Sequence, residues 1–369
     1  MKELINDIGP KKILMIAGIF VGVIVLIIVC LMLYNSLFAG TSYSKIENTL
    51  VSAAKSYYKK NPKLMPQTSG GSVSVNATTL ASNKHMKDLS EYTKKINSAV
   101  SCTGSVTVTE VNGKYRYTPN LKCGDQYETN TLVSQIRSHE ELKLTGQGLY
   151  EMNGGYVFRG DIPNNFVNFS DKTWNIIKIQ DDYIYMIMRD AKDIRSQWDN
   201  RFNVNRNTTS GINDYSVSRI KTYLDSLYNS TLLDEQSKML LSPYNVPVGK
   251  RDENVMANDG SVENSTVEEN SYLGLLPLYD FINASIDANC NSAASKSCAN
   301  YNYLSYLVGS WWTATGNSAT THQVYKVENG KISSSTANTS SRVRPVVRLV
   351  KDALYVSGDG TEANPYKIK

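Results

Sequence analysis

The sequence predicts an α+β chain in three parts: an N-terminal transmembrane helix, a small stalk of helix and sheet, and a larger mixed domain with an antiparallel β core. Three observations carry this. Residues 13–34 are uncharged and apolar on every side. Residues 42–60 are amphipathic at helical spacing. Beyond Gly155, short runs alternate apolar and polar residues between turn signals.

The apolar stretch from Ile13 to Tyr34 runs for roughly 20 residues, enough helix to cross a hydrocarbon core of about 30 Å. Lys2, Lys11 and Lys12 precede it, and no basic residue follows until Lys45. That asymmetry predicts a single-pass cell-membrane protein, with residues 1–12 as a cytoplasmic stub and the C-terminal bulk extracellular. The lipid bilayer is then one partner, and self-association through the N-terminal helix is another. A cleaved signal peptide is the rival reading, with residues 36–40 as a weak cleavage site.

The chain has 369 residues and a net charge of +5, with Lys and Arg scattered. No clustered basic footprint of a nucleic-acid binder is present. Tyr outnumbers Phe by 24 to 7, as suits a sheet surface of half-buried rings. Of the five cysteines, Cys30 lies in the apolar stretch. The others fall as Cys102/Cys123 and Cys290/Cys298. Local pairing is the economical one of three connectivities, and a loop of about 20 residues closed this way contributes on the order of 3 kcal/mol. Zinc is the alternative, but neither pair has knuckle spacing and no His lies beside them in sequence.

Along the stalk, residues 42–60 form a helix whose apolar face is Ile46, Leu50, Ala53, Ala54 and Tyr57, ended by Asn61-Pro62. A strand over 72–75 and helical turns over 78–84 and 87–95 follow. Asn112-Gly113 between residues 102–109 and 114–117 is a strong hairpin signal. Helix followed by a disulfide-closed sheet resembles the pilin and pseudopilin plan over about residues 13–125. The resemblance implies a pilin-like domain over 35–125, without the family's processing site, because Gly9 is followed by Pro-Lys-Lys and the apolar run has no Glu.

Residues 126–154 read as a connector, with a strand over 142–144. In the domain over 155–369, residues 173–179 and 183–189 make a hairpin across Gln180-Asp181-Asp182. Residues 213–229 make a helix capped by Asn213 or Asp214, with Val217, Ile220, Leu224, Leu227 and Tyr228 as its buried stripe. A second helix spans 232–241, a long loop 251–270, and a strand running into a helix 273–285. Strands at 307–314, 323–328, 331–335 and 343–349 come in quick succession as a small antiparallel core.

Five stretches of this half, in order, resemble bacterial surface domains of the C-type-lectin-like superfamily that also holds the sulfatase-modifying, formylglycine-generating enzymes. They are Trp-Asn-Ile-Ile-Lys-Ile from Trp174, Leu-Gly-Leu-Leu-Pro-Leu-Tyr-Asp-Phe from Leu273, Gly-Ser-Trp-Trp-Thr from Gly309, Val-Arg-Pro-Val-Val-Arg-Leu from Val343, and the Gly-Asp-Gly-Thr ending with Asn-Pro-Tyr-Lys-Ile. The enzymes of that superfamily need a cysteine pair after the Gly-Ser-Trp-like motif, and here Thr-Ala-Thr-Gly-Asn-Ser follows. The resemblance therefore implies recognition without catalysis.

Candidate ligand-binding residues are Trp311 and Trp312, one of which should face outward from its strand as a stacking platform. Arg342, Arg344 and Arg348 flank them, with ion pairing to neighbouring carboxylates as the competing role. Asp359 and the acidic loop 252–269 fall short of the six to eight oxygens calcium takes. His85, His139 and His322 are far apart in sequence. No metal, cofactor or catalytic residue is expected. The predicted function is a non-catalytic surface protein for adhesion or recognition of a glycan or protein ligand. The alternative is a component of a type IV pilus-like or secretion apparatus.

Overall fold

The computed structural model describes residues 42–369, which form two compact units dividing between Thr129 and Asn130.

The first unit lays its long helix on one sheet, with two short helices beside it. Helix α1 (Tyr43–Lys60) starts where the Ser42 hydroxyl accepts from the Lys45 amide. Its buried stripe is Ile46, Leu50, Ala53, Ala54 and Tyr58. Tyr57, expected in that stripe, is only half-buried, because the stripe drifts by one position in the last turn. Strand β1 (Ser72–Asn76) leads into the short helices α2 (Ala77–Ser82) and α3 (Leu89–Thr93). Strands β2 (Cys102–Val111) and β3 (Lys114–Cys123) form a hairpin in full register, and β4 (Tyr127–Glu128) completes the sheet order β1-β2-β3-β4. Asn112 and Gly113 both take positive φ at the hairpin tip, as a two-residue primed turn requires. Cys102 and Cys123 face each other across the hairpin and are joined by a disulfide. The helix stripe meets Val106, Val108 and Leu121 in one core.

The second unit opens with α4 (Leu132–His139), capped by Thr131. Strands β5 (Gly148–Met152) and β6 (Gly155–Arg159) form a hairpin, followed by β7 (Phe166–Phe169), β8 (Lys172–Gln180) and β9 (Tyr183–Met188). Asp181 and Asp182 take positive φ between β8 and β9. Then come β10 (Arg195–Gln197), α5 (Arg219–Tyr228), the single turn α6 (Glu235–Lys238), β11 (Tyr244–Pro247), β12 (Val267–Ser271) and α7 (Leu278–Ala284). Strands β13 (Ser310–Gly316), β14 (Gln323–Glu328), β15 (Lys331–Thr336), β16 (Ser340–Arg342), β17 (Val346–Arg348), β18 (Tyr355–Ser357) and β19 (Tyr366–Ile368) follow. The larger sheet runs β17-β9-β8-β7-β19-β18, with β6 also paired to β8 and β5 to β6. A second sheet runs β10-β16-β13-β14-β15, and β11 pairs with β12. Trp174, Ile176, Phe281, Trp311, Trp312 and Val347 belong to one continuous core. Cys290 and Cys298 form the second disulfide.

Several expectations are corrected. The fold is mixed α+β, mostly sheet with several antiparallel sheets, but no helix among the described residues is long and apolar enough to cross a membrane. The predicted transmembrane stretch 13–34 lies outside the described residues, as does Cys30. The single-pass localisation, N-terminus cytoplasmic and bulk extracellular, rested on that helix and is withdrawn with it. The helix expected from 213 begins at Arg219 under a Ser218 cap. Asn213 instead donates to the carbonyls of Asn317, Thr320 and Gln323, and Val217 is exposed. The helix expected over 232–241 shrinks to α6. The stretch 142–144 forms no strand; part of the expected connector becomes α4 and β5. The single strand expected over 343–349 shrinks to β17, beyond Pro345, which joins the larger sheet, while β16 lies just before that stretch and belongs to the second sheet.

Candidate functional site

The four residues singled out for ligand binding do not meet at a surface. Trp311 and Trp312 do alternate across β13, but β13 lies between β16 and β14, and both rings are 0% exposed. Neither is a stacking platform. Trp311 packs edge-on against Phe281, while Trp312 donates to the Ser196 carbonyl at 3.0 Å. Arg344 is equally buried and stacks 4.8 Å from the centre of the Trp311 ring. It donates to the Met188 and Leu304 carbonyls rather than to a carboxylate. Burial without a counter-ion pushes its guanidinium down to about 10. Arg342 is half-buried and donates to the Val308 carbonyl. Arg348 donates to Ser242 and to the Pro243 carbonyl. The three arginines therefore serve as carbonyl clamps, and the expected ion pairing is not their role.

The chemistry converges elsewhere, on the outer half of β8 and β9. Lys178 lies opposite Tyr185 in the β8–β9 register, and Tyr185 lies opposite Arg348 in the β9–β17 register. Directly paired residues share a face, so Lys178, Tyr185 and Arg348 form one row across three strands. Tyr244 of β11 meets Tyr185 edge-on at 5.5 Å. The two residues that open α7 just after its first position, Tyr279 and Asp280, face this row. Between them lies a cleft of about 220 Å³, lined by Lys178, Gln180, Tyr185, Tyr244, Tyr279 and Asp280, among others. A smaller hollow of about 40 Å³ adjoins it behind Lys178 and Tyr279 and reaches Tyr156 and Asp259.

Lys178, Asp280 and Tyr279 form a closed polar knot on the cleft floor. The Lys178 ammonium donates to Asp280 Oδ1 at 3.1 Å, to Oδ2 at 2.9 Å and to the Tyr279 hydroxyl at 2.6 Å. It also sits 4.7 Å from the Tyr279 ring centre and 5.3 Å from that of Tyr185. Burial alone would push the Lys178 ammonium down, but Asp280 and Tyr279 more than offset this and hold it above its ordinary value. Burial pushes the Tyr279 phenol up to about 12, with the Asp280 charge adding to it. Burial also raises the Asp280 carboxyl, against the pull of Lys178. The ammonium is in hydrogen-bond contact with both carboxylate oxygens, the geometry of a buried ion pair.

The loop over 251–264 reaches the smaller hollow through Asp259 and both cavities through Asn264. Arg251 and Glu263, both 0% exposed, close its ends through two bonds of 2.8 and 2.9 Å. The same guanidinium donates to the Val255 and Ala257 carbonyls. Asn264 at the loop's end donates to the Gly260 carbonyl. Gly260 has φ +87°, and a Cβ there would lie 3.0 Å from the Tyr279 ring. Glycine is what lets the loop pass against that ring.

The knot was missed from the sequence, although two of its three residues stand as charges inside apolar runs. Lys178 sits between Ile177 and Ile179, and Asp280 within Pro-Leu-Tyr-Asp-Phe-Ile. A charge in such a run is either an edge residue or a buried, paired one. His85, His139 and His322 do not come together, and no cluster of metal-ligating side chains is present among the described residues.

Compared with family models, curated proteins and solved structures, the chain matches none. The resemblances to pilins and to the C-type-lectin-like superfamily gain no support from these comparisons.

Proposed function

We propose that the second unit is a recognition module that takes a small polar ligand, a glycan or a protein segment, in the cleft above Lys178, without transforming it. The observation that carries this reading is the cleft itself: tyrosine rings and amide side chains around a floor whose charges cancel. Tyr185, Tyr244 and Tyr279 present flat apolar faces, and Gln180, Asn245 and Asn264 present both donors and acceptors. Aromatic faces with a few placed polar groups are the usual make-up of a small-ligand site.

The knot also argues for binding over chemistry. A general base needs a pKa near the working pH and a free lone pair. The Asp280 carboxylate is engaged by Lys178, the Lys178 nitrogen is protonated, and the Tyr279 phenol stays neutral at about 12. The reading rests on this geometry and takes nothing from the Trp-Trp motif, which is buried.

A glycan and peptide array probed with the full chain tests it. Binding that disappears in Tyr185→Ala, with unchanged tryptophan fluorescence and melting temperature, is the expected result. An array with no bound component, or binding indifferent to both Tyr185→Ala and Gln180→Ala, would sink the proposal.

A further inference from the structure

Tyr279 carries an unused proton. Its side chain is 5% exposed and lines both the cleft and the smaller hollow behind it. An ammonium has three N–H groups. Those of Lys178 meet Asp280 Oδ1, Asp280 Oδ2 and the Tyr279 oxygen. Lys178 therefore has nothing left to donate to a ligand. The Tyr279 oxygen, as the acceptor of one of these bonds, still has its own hydrogen to place. Among the described residues, Tyr279 donates its hydroxyl to no protein acceptor.

A buried donor left unpaired costs the full desolvation of that group. A ligand that reaches this hydroxyl therefore gains by bringing an acceptor. Water can serve when the site is otherwise empty: the smaller hollow, at about 40 Å³, exceeds the roughly 10–15 Å³ one water needs. A ligand that displaces such a water must replace its acceptor oxygen. An anionic acceptor would lie beside the Asp280 carboxylate, whose only counter-charge is already engaged. A neutral carbonyl oxygen avoids that repulsion.

The surroundings narrow the group further. Ile177, Pro247, Leu275, Pro277 and Val346 supply an apolar wall in the same cleft. A carbonyl acceptor with a methyl-sized apolar neighbour is an acetamido group. The cleft, at about 220 Å³, is smaller than the roughly 300–1,000 Å³ of sites for larger ligands, so it suits a single ring bearing that group. The amide side chains of Gln180, Asn245 and Asn264 can each both give and accept a bond, as sugar hydroxyls demand.

From this we infer that the cleft is an N-acetylhexosamine site, in which the Tyr279 hydroxyl donates to the acetamido carbonyl. The inference rests on the recognition reading above and names its ligand class. Tyr279 is its specificity-determining residue, and Lys178 a positioning residue that keeps the phenol oxygen as an acceptor and turns its proton outward.

The test is a calorimetric and ligand-observed NMR titration of the full chain with N-acetylglucosamine, N-acetylmannosamine, glucose, glucosamine and N-acetyl-lysine methylamide. The N-acetylated sugars should bind about tenfold more tightly than glucose, the worth of one buried hydrogen bond. Tyr279→Phe should abolish that preference and leave the residual sugar binding equal. Should Tyr279→Phe fail to fold, the sugar series on the unaltered chain decides alone. Glucose and N-acetylglucosamine binding equally, in a manner still sensitive to Tyr185→Ala, would overturn the acetamido inference and leave the recognition reading standing. Binding of N-acetyl-lysine methylamide as tightly as the sugars would overturn the sugar assignment. No binding of any saccharide or peptide would overturn both readings.

Discussion

Lys178→Met removes one charge and keeps an unbranched apolar stem, so it isolates the buried ion pair. Lys178 Nζ lies 2.9 Å from Asp280 Oδ2, and the two side chains are 11% and 3% exposed. At that separation the Coulomb attraction is about 6 kcal/mol for an effective dielectric constant of about 20. Truncating one member of a buried pair costs about 3–5 kcal/mol, because the other charge remains in the interior without a partner. The tryptophans make the measurement clean: Trp174, Trp198, Trp311 and Trp312 are all in the second unit and all buried. Urea unfolding followed by tryptophan fluorescence therefore reports that unit alone. We expect Lys178→Met to lose about 3–5 kcal/mol at neutral pH. The loss should shrink on acidification. Burial already holds the Asp280 carboxyl above its ordinary value, and without Lys178 it rises further. A carboxyl raised in the folded state destabilises that state when ionised, and the penalty is relieved as pH falls through the raised pKa. A loss under about 1 kcal/mol, or one that stays constant into mild acid, would refute the reasoning that places an ionised pair here.

Glu263→Gln leaves the Arg251 guanidinium buried without its counter-ion. It should cost about 3–5 kcal/mol by the same unfolding assay, and limited proteolysis should begin to cut between residues 252 and 262. Asp234→Ala removes the cap of α6, where the carboxylate accepts from the Gln236 and Ser237 amides. It should cost about 1 kcal/mol at neutral pH. Burial is the largest single influence and raises that carboxyl, but its bonds to Ser237, Ser170 and Gln236 together outweigh this and hold it at about 2. Its stabilisation is therefore complete above the unfolded value of about 4 and lost as pH falls toward 2. The difference between Asp234→Ala and the unaltered chain should close in that window; a gap that persists below it would exclude the carboxylate as the cap.

Much of the fold is legible from local chemistry. The Asn112-Gly113 turn, the Asp181-Asp182 turn and the cysteine spacings foretell β2–β3, β8–β9 and both disulfides, because each depends on a few adjacent residues. What fails is what distant residues decide. Asn213 is a good helix cap by type, yet three carbonyls more than 100 residues away claim its side-chain amide. Trp312 has the alternation of an outward ring, yet it is fully buried and donates to the Ser196 carbonyl of β10, 116 residues earlier, which no local pattern announces. The candidate site was missed: Lys178 carried a signal, a charge within an apolar run, but its partner lies 102 residues on and only the fold brings the two together.

The knot raises the question of why an ion pair occupies a place that apolar side chains of equal volume would hold as firmly. A buried pair gives little net stability over such a replacement, since desolvation of both ions offsets their attraction. What it does give is direction. Asp280 fixes the ammonium by two bonds, and the ammonium's third fixes the phenol oxygen as an acceptor. The phenol is then left with a single way to turn its proton, away from the pair. An apolar floor would leave that hydroxyl free to rotate between donating and accepting, and a ligand would have to freeze it on binding. Holding one donor in place beforehand removes that cost from association. In the proposed site, stability and selectivity thus depend on different bonds of the same knot: Lys178–Asp280 bears on folding, and Lys178–Tyr279 on which oxygen a ligand would present.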